Sequence, residues 1–439
     1  PQVGNFECSN TLFGRIQRAA RWSYWGNFHG YPTDCPHREK NGWTGDAHMA
    51  SEQAMYSFDN AAAYAKWIDD MRDAMKDDGQ LPGIVPTGGW GYHWGNGPAW
   101  DIAYLTIPWQ LYLYHGDRGI LERHYAGFKR YVDYMTSRAE GHIVSFGLGD
   151  WVAIDQKTPE AVTSTGYYYR GALLVSQTAT LLGKLDDAKR YADLAGRIRK
   201  AFNAKFYDRR TGQYATGSQT ALACALYHGL VEPDQVDRVV ANLVANIEKC
   251  DGHINSGVLG SIYIPHALTR YGRPDVAYTL AAKTTYPSWG HWIQQGATTL
   301  WEDWKGEASL NHIFFGDICT WFYQALAGIR VDPEQPAFEH ILIRPEILGD
   351  LTWAKGEIDT VRGKVASHWQ LADGALTLTV TIPANSTATV FLPASDPSKV
   401  TESGRSAAES PGVRFIKAEG GRCTYAVDSG QYVFATPWP

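Results

Sequence analysis

Apolar positions recur at helical spacing from the start of the chain to about residue 327. In residues 11–26, Leu12, Ile16, Ala19, Ala20 and Tyr24 share one face, which predicts a helix. The same reading predicts helices over 45–58, 60–76, 101–115, 118–138, 164–183, 185–206, 217–229, 233–248, 257–271, 274–284 and 312–327. Tight connections alternate with long loops at 31–46, 79–100, 139–163 and 285–311, which carry glycines and exposed-type aromatics. Loops that long in a compact domain usually carry function.

Twelve helices in successive hairpins predict six pairs closed into a ring, an (α/α)6 barrel, with the long loops gathered at one end. An open solenoid is disfavoured, because no fixed-period repeat recurs. After Gly328 the period changes to alternation. Residues 340–344, 364–370, 375–382, 388–392 and 431–435 read as strands between Asp-Gly, Ala-Asn-Ser and Gly-Gly turns. The expected fold is mainly α: an (α/α)6 barrel over residues 1–330, then a C-terminal antiparallel β-sandwich over residues 331–439.

Composition acts here mostly by exclusion. The 439 residues are too many for one small domain, and 44% apolar content supplies a sizeable core. A net charge of −6 without a basic cluster argues against nucleic acid as a partner. No apolar run reaches the length of a membrane span, so no membrane partner is expected. The cysteines, at 8, 35, 224, 250, 319 and 423, form no CxxC pair, so neither a zinc site nor a redox motif is indicated. Cys35 has no Cys-His pattern to make it a nucleophile. The 17 Trp and 25 Tyr exceed what a core needs, and several sit beside Gly in loops, where aromatics stack on sugars. The chain begins Pro-Gln-Val, so its start does not reveal a compartment, and a trimmed chain is expected.

The densest chemistry lies in Tyr31–Asp46. It packs Asp34, His37, Arg38, Glu39, Trp43 and Asp46 between prolines and glycines that forbid one regular helix. Carboxylates accept hydroxyl hydrogen bonds, a guanidinium donates, and an indole covers an apolar sugar face. The plainer reading is a polar loop ending in a helix cap at Thr44 or Asp46. Loop 285–311 adds Glu302, Asp303 and Glu307, with Trp301 and Trp304 flanking the first two. Two carboxyl groups meeting across a cleft cut glycosidic bonds: one protonates the leaving oxygen, the other attacks the sugar or activates water. On chemistry alone, which carboxylate does which stays open. His37, His48, His93, His291 and His312 lie near these loops without H-E-x-x-H spacing, so no metal and no cofactor is expected.

Asp34-Cys-Pro-His-Arg-Glu-Lys-Asn-Gly-Trp-Thr-Gly-Asp46 resembles the signature loop of the inverting α-L-rhamnosidases. Gly296-Ala-Thr-Thr-Leu-Trp-Glu-Asp-Trp304 with Ser309-Leu-Asn-His312 is similar to that family's second signature. Asp251–Gly260 and Gly149-Asp150-Trp151 also resemble family landmarks, and the likeness spans roughly residues 5 to 345. The resemblance implies an (α/α)6 catalytic barrel, Glu39 as general acid and Glu302 as general base. It implies that Asp34, Arg38, Trp43, Asp46 and His312 line the rhamnose subsite, with Trp100 and Trp151 as looser matches. Two departures stand out. Many members have one more residue between Arg38 and the Trp, and the segment from Glu302 to His312 is short. The β-sandwich domains that normally precede the barrel are also missing, which implies a trimmed chain or a minimal member.

The expected activity is removal of terminal non-reducing α-L-rhamnose from a small-molecule, oligosaccharide or polysaccharide rhamnoside by single displacement. The carboxyl groups should then stand about 6.5–9.5 Å apart. A polysaccharide lyase would want a cationic cluster, which these acid-rich loops do not offer. Another barrel glycosidase, or a carbohydrate-binding protein without catalysis, is the remaining alternative.

Overall fold

The computed structural model describes residues 1–438. Its first part is helical, and its C-terminal region is a pair of sheets. The helices are of two kinds. One kind is amphipathic: Val236–Lys249 buries Val239, Val240, Leu243, Val244 and Ile247 along one stripe and leaves its other face polar. The other kind is buried nearly all round: Thr44–Ser57 leaves only Glu52 incompletely covered, as a helix inside a ring of neighbours must. The buried helices touch one another in chain order. Thr44–Ser57 packs on Ala103–His115, which meets Glu160–Leu181, then Gln219–Tyr227, then Val258–Arg270, then Ile318–Trp321, which returns to Thr44–Ser57. Amphipathic partners such as Arg118–Arg138, Leu185–Phe206 and Pro274–Ala281 lie against them.

Helix positions follow the hydrophobic period closely, with three exceptions. A short helix, Trp289–Gln294, interrupts the loop expected over 285–311, and another, Pro98–Asp101, ends the loop that begins at Gly79. The last helix begins at Ile318 instead of residue 312 and continues as a wider turn over Phe322–Ala327. The cause is tertiary: the His312 amide donates to the Leu300 carbonyl at 2.9 Å, which ties that segment to the preceding loop.

The seven-stranded sheet runs in the order Gly4–Cys8, Trp353–Thr360, Gly363–Ala372, Ala375–Ile382, Gly430–Pro437, Thr401–Glu402, Arg405–Ser406. Its first strand comes from the other end of the chain, pairing Gly4 with Ile358 and Cys8 with Ala354. The N-terminal residues thus belong to this sheet. The five-stranded sheet runs Val413–Glu419, Arg422–Val427, Thr387–Leu392, His340–Ile343, Ile329–Val331. The expectation of purely antiparallel pairing needs one correction: His340–Ile343 and Thr387–Leu392 run parallel. A long excursion through the other sheet separates these two strands, so no hairpin constrains their direction. Strand Ala375–Ile382 alternates half-buried and buried residues, placing Leu376, Leu378, Val380 and Ile382 inward. The seven-stranded sheet is tied to the last helix, where Trp369 Nε1 donates to the Leu326 carbonyl at 2.7 Å and Ser367 Oγ to the Ala327 carbonyl at 2.7 Å.

Candidate active site

Loop 31–46 is closed at its base by its own backbone. The Asp34 amide donates to the Asn41 carbonyl at 3.0 Å, and the Asn41 amide donates back to Asp34 Oδ1 at 2.8 Å. Between these ends the Glu39 amide donates to Cys35 Sγ at 3.3 Å, and Lys40 takes a left-handed φ of 57°. That conformation costs a side-chain-bearing residue energy, and it directly follows Glu39, whose side chain lines the pocket where the two loops meet. Trp43 Nε1 then donates to Glu39 Oε2 at 2.7 Å, which fixes the carboxylate. Two glycines make room for the indoles. A Cβ on Gly45 would fall 2.3 Å from Trp100 Nε1, and one on Gly95 would fall 2.4 Å from the Trp43 ring.

The second loop presents Glu302 from a short reversal. The Glu302 amide donates to the Ser309 carbonyl at 2.8 Å, and the Ser309 amide donates to Glu302 Oε2 at 3.0 Å. Asp303 is spent on the turn itself, accepting from the amides of Lys305, Gly306 and Ala308. Behind it Trp304 stacks on Trp292 at 4.8 Å and donates to the Ser256 carbonyl. That indole therefore anchors the loop in the core. The oxygens of Glu302 face the first loop and His312.

The two loops meet. Asp34, Glu39, Trp43, Asp46, Trp100, Trp151, Glu302 and His312 line one pocket. Arg38 reaches it through its guanidinium, donating to Glu302 Oε2 at 2.5 Å and pairing with Glu39 Oε1 at 3.2 Å. Asp46 is not a helix cap: its Oδ1 lies 2.8 Å from His312 Nε2, and both side chains are buried. Trp151, 39% exposed, stands at the rim. Its neighbour Asp150 is buried and accepts from Thr220 Oγ1 and from the amides of Gly257, Leu259 and Gly260, tying this loop to the start of helix Val258–Arg270. The two lesser motifs of the sequence therefore form one structural joint.

Trp94, Leu148 and Phe314 also line the pocket and were not singled out from the sequence as site residues. Trp94 had a signal, an aromatic between glycines in a long loop; Leu148 had none. Of the histidines near the loops, His312 lines this pocket; His48 lines a separate cavity with Glu52 and Asp317.

Burial governs the electrostatics. It pushes the Asp46 carboxyl up to about 6, against the opposing hydrogen bond from His312. For His312, burial alone would depress the imidazole, but the hydrogen bond to Asp46 and the charges of Asp46, Glu302 and Asp34 outweigh it and raise its pKa. Burial also raises Asp34. Asp34, Cys35 and His312 bring three possible metal-ligand atoms within 4.8 Å of one another. Asp34 Oδ1 is held by the Asn41 amide and His312 Nε2 lies on Asp46, so the open atoms of these two residues are Asp34 Oδ2 and His312 Nδ1.

Asp34 Oδ2, Trp100 Nε1 and His312 Nδ1 are buried without a hydrogen-bond partner among the described residues, and all three belong to this pocket. Buried polar atoms are nearly always paired. Acceptors and donors left open around two carboxylates and an indole wall fit a ligand rich in hydroxyls. A sugar is the class of ligand that such a pocket suits.

Known proteins agree with that class. Residues 1–326 match the bacterial alpha-L-rhamnosidase 6 hairpin glycosidase domain, and residues 328–407 the bacterial alpha-L-rhamnosidase C-terminal domain. The chain belongs to the bacterial α-L-rhamnosidase family. It is 34% identical to an α-L-rhamnosidase of Streptomyces avermitilis, over 99% of this chain and 42% of the relative. An Alteromonas α-L-rhamnosidase is 33% identical over 89% of this chain and 45% of its own length. Among solved structures, the α-L-rhamnosidase of Dictyoglumus thermophilum superposes with a TM-score of 0.93 at 37% identity, covering 99% of this chain and 50% of that one. The Streptomyces avermitilis enzyme complexed with L-rhamnose gives 0.93 at 33% identity, covering 99% and 42%. The chain thus spans less than half the length of these two curated relatives. Among the described residues, no helix is long and apolar enough to cross a membrane.

Proposed function

We propose that this chain carries the catalytic site of an α-L-rhamnosidase, acting on terminal non-reducing α-L-rhamnose. The observation that carries this reading is the set of unpaired buried polar atoms on Asp34, Trp100 and His312 facing the same pocket as Glu39 and Glu302. Family membership and the rhamnose-complexed relative support the choice of sugar. Rhamnose carries a methyl at C5, and the wall of Trp43, Trp100, Trp151 and Phe314 would bury it, worth roughly 1–3 kcal/mol of discrimination. In the same reading, residues 1–330 form an (α/α)6 barrel, supported by the closed succession of contacts among the buried helices. The two sheets of residues 331–439 form a β-sandwich, supported by their alternating burial and joined by strand Gly4–Cys8.

The mechanism we favour is single displacement with inversion. Glu39 protonates the leaving oxygen while Glu302 takes a proton from water on the opposite face of the sugar. Arg38, Asp34, Asp46 and His312 hold the ring hydroxyls. Arg38 Nη2 touches both carboxylates, and its two contacts, laid end to end, hold one oxygen of each within about 5.7 Å of the other. That figure bounds a single pair of oxygens and is not the separation of the carboxyl groups, which is what distinguishes retaining from inverting pairs. In the inverting reading Arg38 turns from the carboxylates to the sugar as substrate enters. The activity itself is tested by release of p-nitrophenol from its α-L-rhamnoside. Sugar binding without release would leave a carbohydrate-binding protein.

A further inference from the structure

A second cleft opens beside the carboxylate pocket, and its chemistry is of the opposite sign. It holds about 290 Å³, room for a pyranose ring. Trp94 and Leu148 line both spaces, so the two are adjoining. The carboxylate pocket is walled by Asp34, Glu39, Asp46 and Glu302. The second cleft has no carboxylate in its lining; its polar groups include Gln80, His93, Asn96 and the guanidinium of Arg138.

Arg138 is the last residue of helix Arg118–Arg138 and is exposed. Its guanidinium lies over the Phe146 ring, 5.1 Å from the centroid, and is paired with no carboxylate among the described residues. Stacking of this kind fixes the plane of the fork; Tyr134 lies beside it, and the five N–H donors of a guanidinium leave enough to bind an anion side-on. The lining is also aromatic. Trp94 is 49% exposed and stacks on Trp90, itself 47% exposed, with centroids 5.6 Å apart. Exposed indoles in a cleft are stacking platforms for a sugar face.

The position of the cleft follows from the acid. A general acid sits on the side from which the leaving group departs. Glu39 Oε2 is held by Trp43 Nε1, and the Trp43 ring meets Trp94 edge-on at 5.5 Å. The path from the acid thus leads along Trp43 and Trp94 into the second cleft.

We infer that this cleft is the leaving-group subsite and that it takes a uronic acid residue, with Trp94 under the ring and Arg138 on the carboxylate. This inference rests on the α-L-rhamnosidase reading and names its substrate class: rhamnose attached to an acidic sugar. A neutral flavonoid or saponin aglycone would use the indole and leave Arg138 unpaired.

The test compares kcat/KM for an α-L-rhamnosyl uronate disaccharide with that for its methyl ester, which has the same shape and no charge. The unaltered protein should prefer the acid by about ten-fold or more, as expected for a charge-assisted bidentate contact. In Arg138→Gln the ratio of acid to ester should fall close to one. A ratio near one in the unaltered protein would overturn the inference, and so would a preference that survives Arg138→Gln. If the aryl rhamnoside is cleaved but acid and ester are equal, the uronate subsite fails and the proposed function stands. If neither the aryl rhamnoside nor the disaccharides are cleaved, both fall.

Discussion

Arg38 and Glu302, far apart in sequence, are joined by a 2.5 Å contact from Nη2 to Oε2, and the same nitrogen touches Glu39. One guanidinium therefore sets the relation between the two proposed catalytic carboxylates. Arg38→Met removes the charge and keeps much of the bulk. It should lower kcat/KM on an aryl α-L-rhamnoside by about 10-fold or more, the scale of a lost hydrogen bond to a charged group. Arg38→Lys should recover part of that loss, because both contacts are made by a single nitrogen, a role one ammonium can fill. A loss below two-fold in Arg38→Met would show that the bridge is incidental.

Glu39→Gln should cost at least about 10²-fold in kcat, the low end of what a positioned general acid supplies. The loss should shrink for aglycones that leave easily, since they need less protonation. Rates across a series of aryl rhamnosides check this. A small, uniform loss would mean that Glu39 only binds.

The Asp46–His312 pair gives a pH dependence with a definite sign. Both groups are raised in the folded protein, so both hold protons more tightly there than in the unfolded chain. Their contribution to stability is present at low pH and is lost as pH rises. For Asp46 the loss falls between its ordinary 3.8 and about 6; for His312 it begins near its ordinary 6.5 and extends upward. Thermal melts across pH, taken as the difference between the unaltered protein and Asp46→Asn, should show a difference that declines over the first window. Melts of His312→Gln should show it over the second. A difference that grows with pH would contradict the assignment.

Gly45 leaves no room for a side chain, because a Cβ would meet the Trp100 indole. Gly45→Ala should destabilise the fold by about 1–3 kcal/mol, the usual cost of overpacking. It should also raise KM for the aryl rhamnoside, since Trp100 lines the pocket. Denaturant unfolding and steady-state kinetics read the two effects separately. Unchanged values in both would mean that the indole yields freely.

The helices were legible because their cores follow a local period: Leu12, Ile16 and Tyr24 sit on one stripe whatever lies beneath them. Strand Gly4–Cys8 was not, because its partner Trp353–Thr360 comes from the far end of the chain and no hairpin signal joins them. The start of the last helix was misplaced for a related reason. The pattern predicts that helix from residue 312, yet His312 is pulled back to Leu300 and Asp46. The site's polar residues stood out through their density in two loops; the structure brings Asp34, Glu39, Asp46 and Glu302 to one pocket, while Asp303 holds its own turn and His37 and Glu307 stay exposed. The Arg38 bridge was not readable: it depends on how two loops from opposite ends of the helical region meet, and no local pattern records that.

The central claim is that Glu39 and Glu302 act as acid and water-activating base. Proton NMR of the earliest product from an α-L-rhamnoside tests it most directly. Inversion predicts that β-L-rhamnose appears first and then mutarotates. Initial appearance of the α-anomer would contradict the account and make Glu302 a nucleophile.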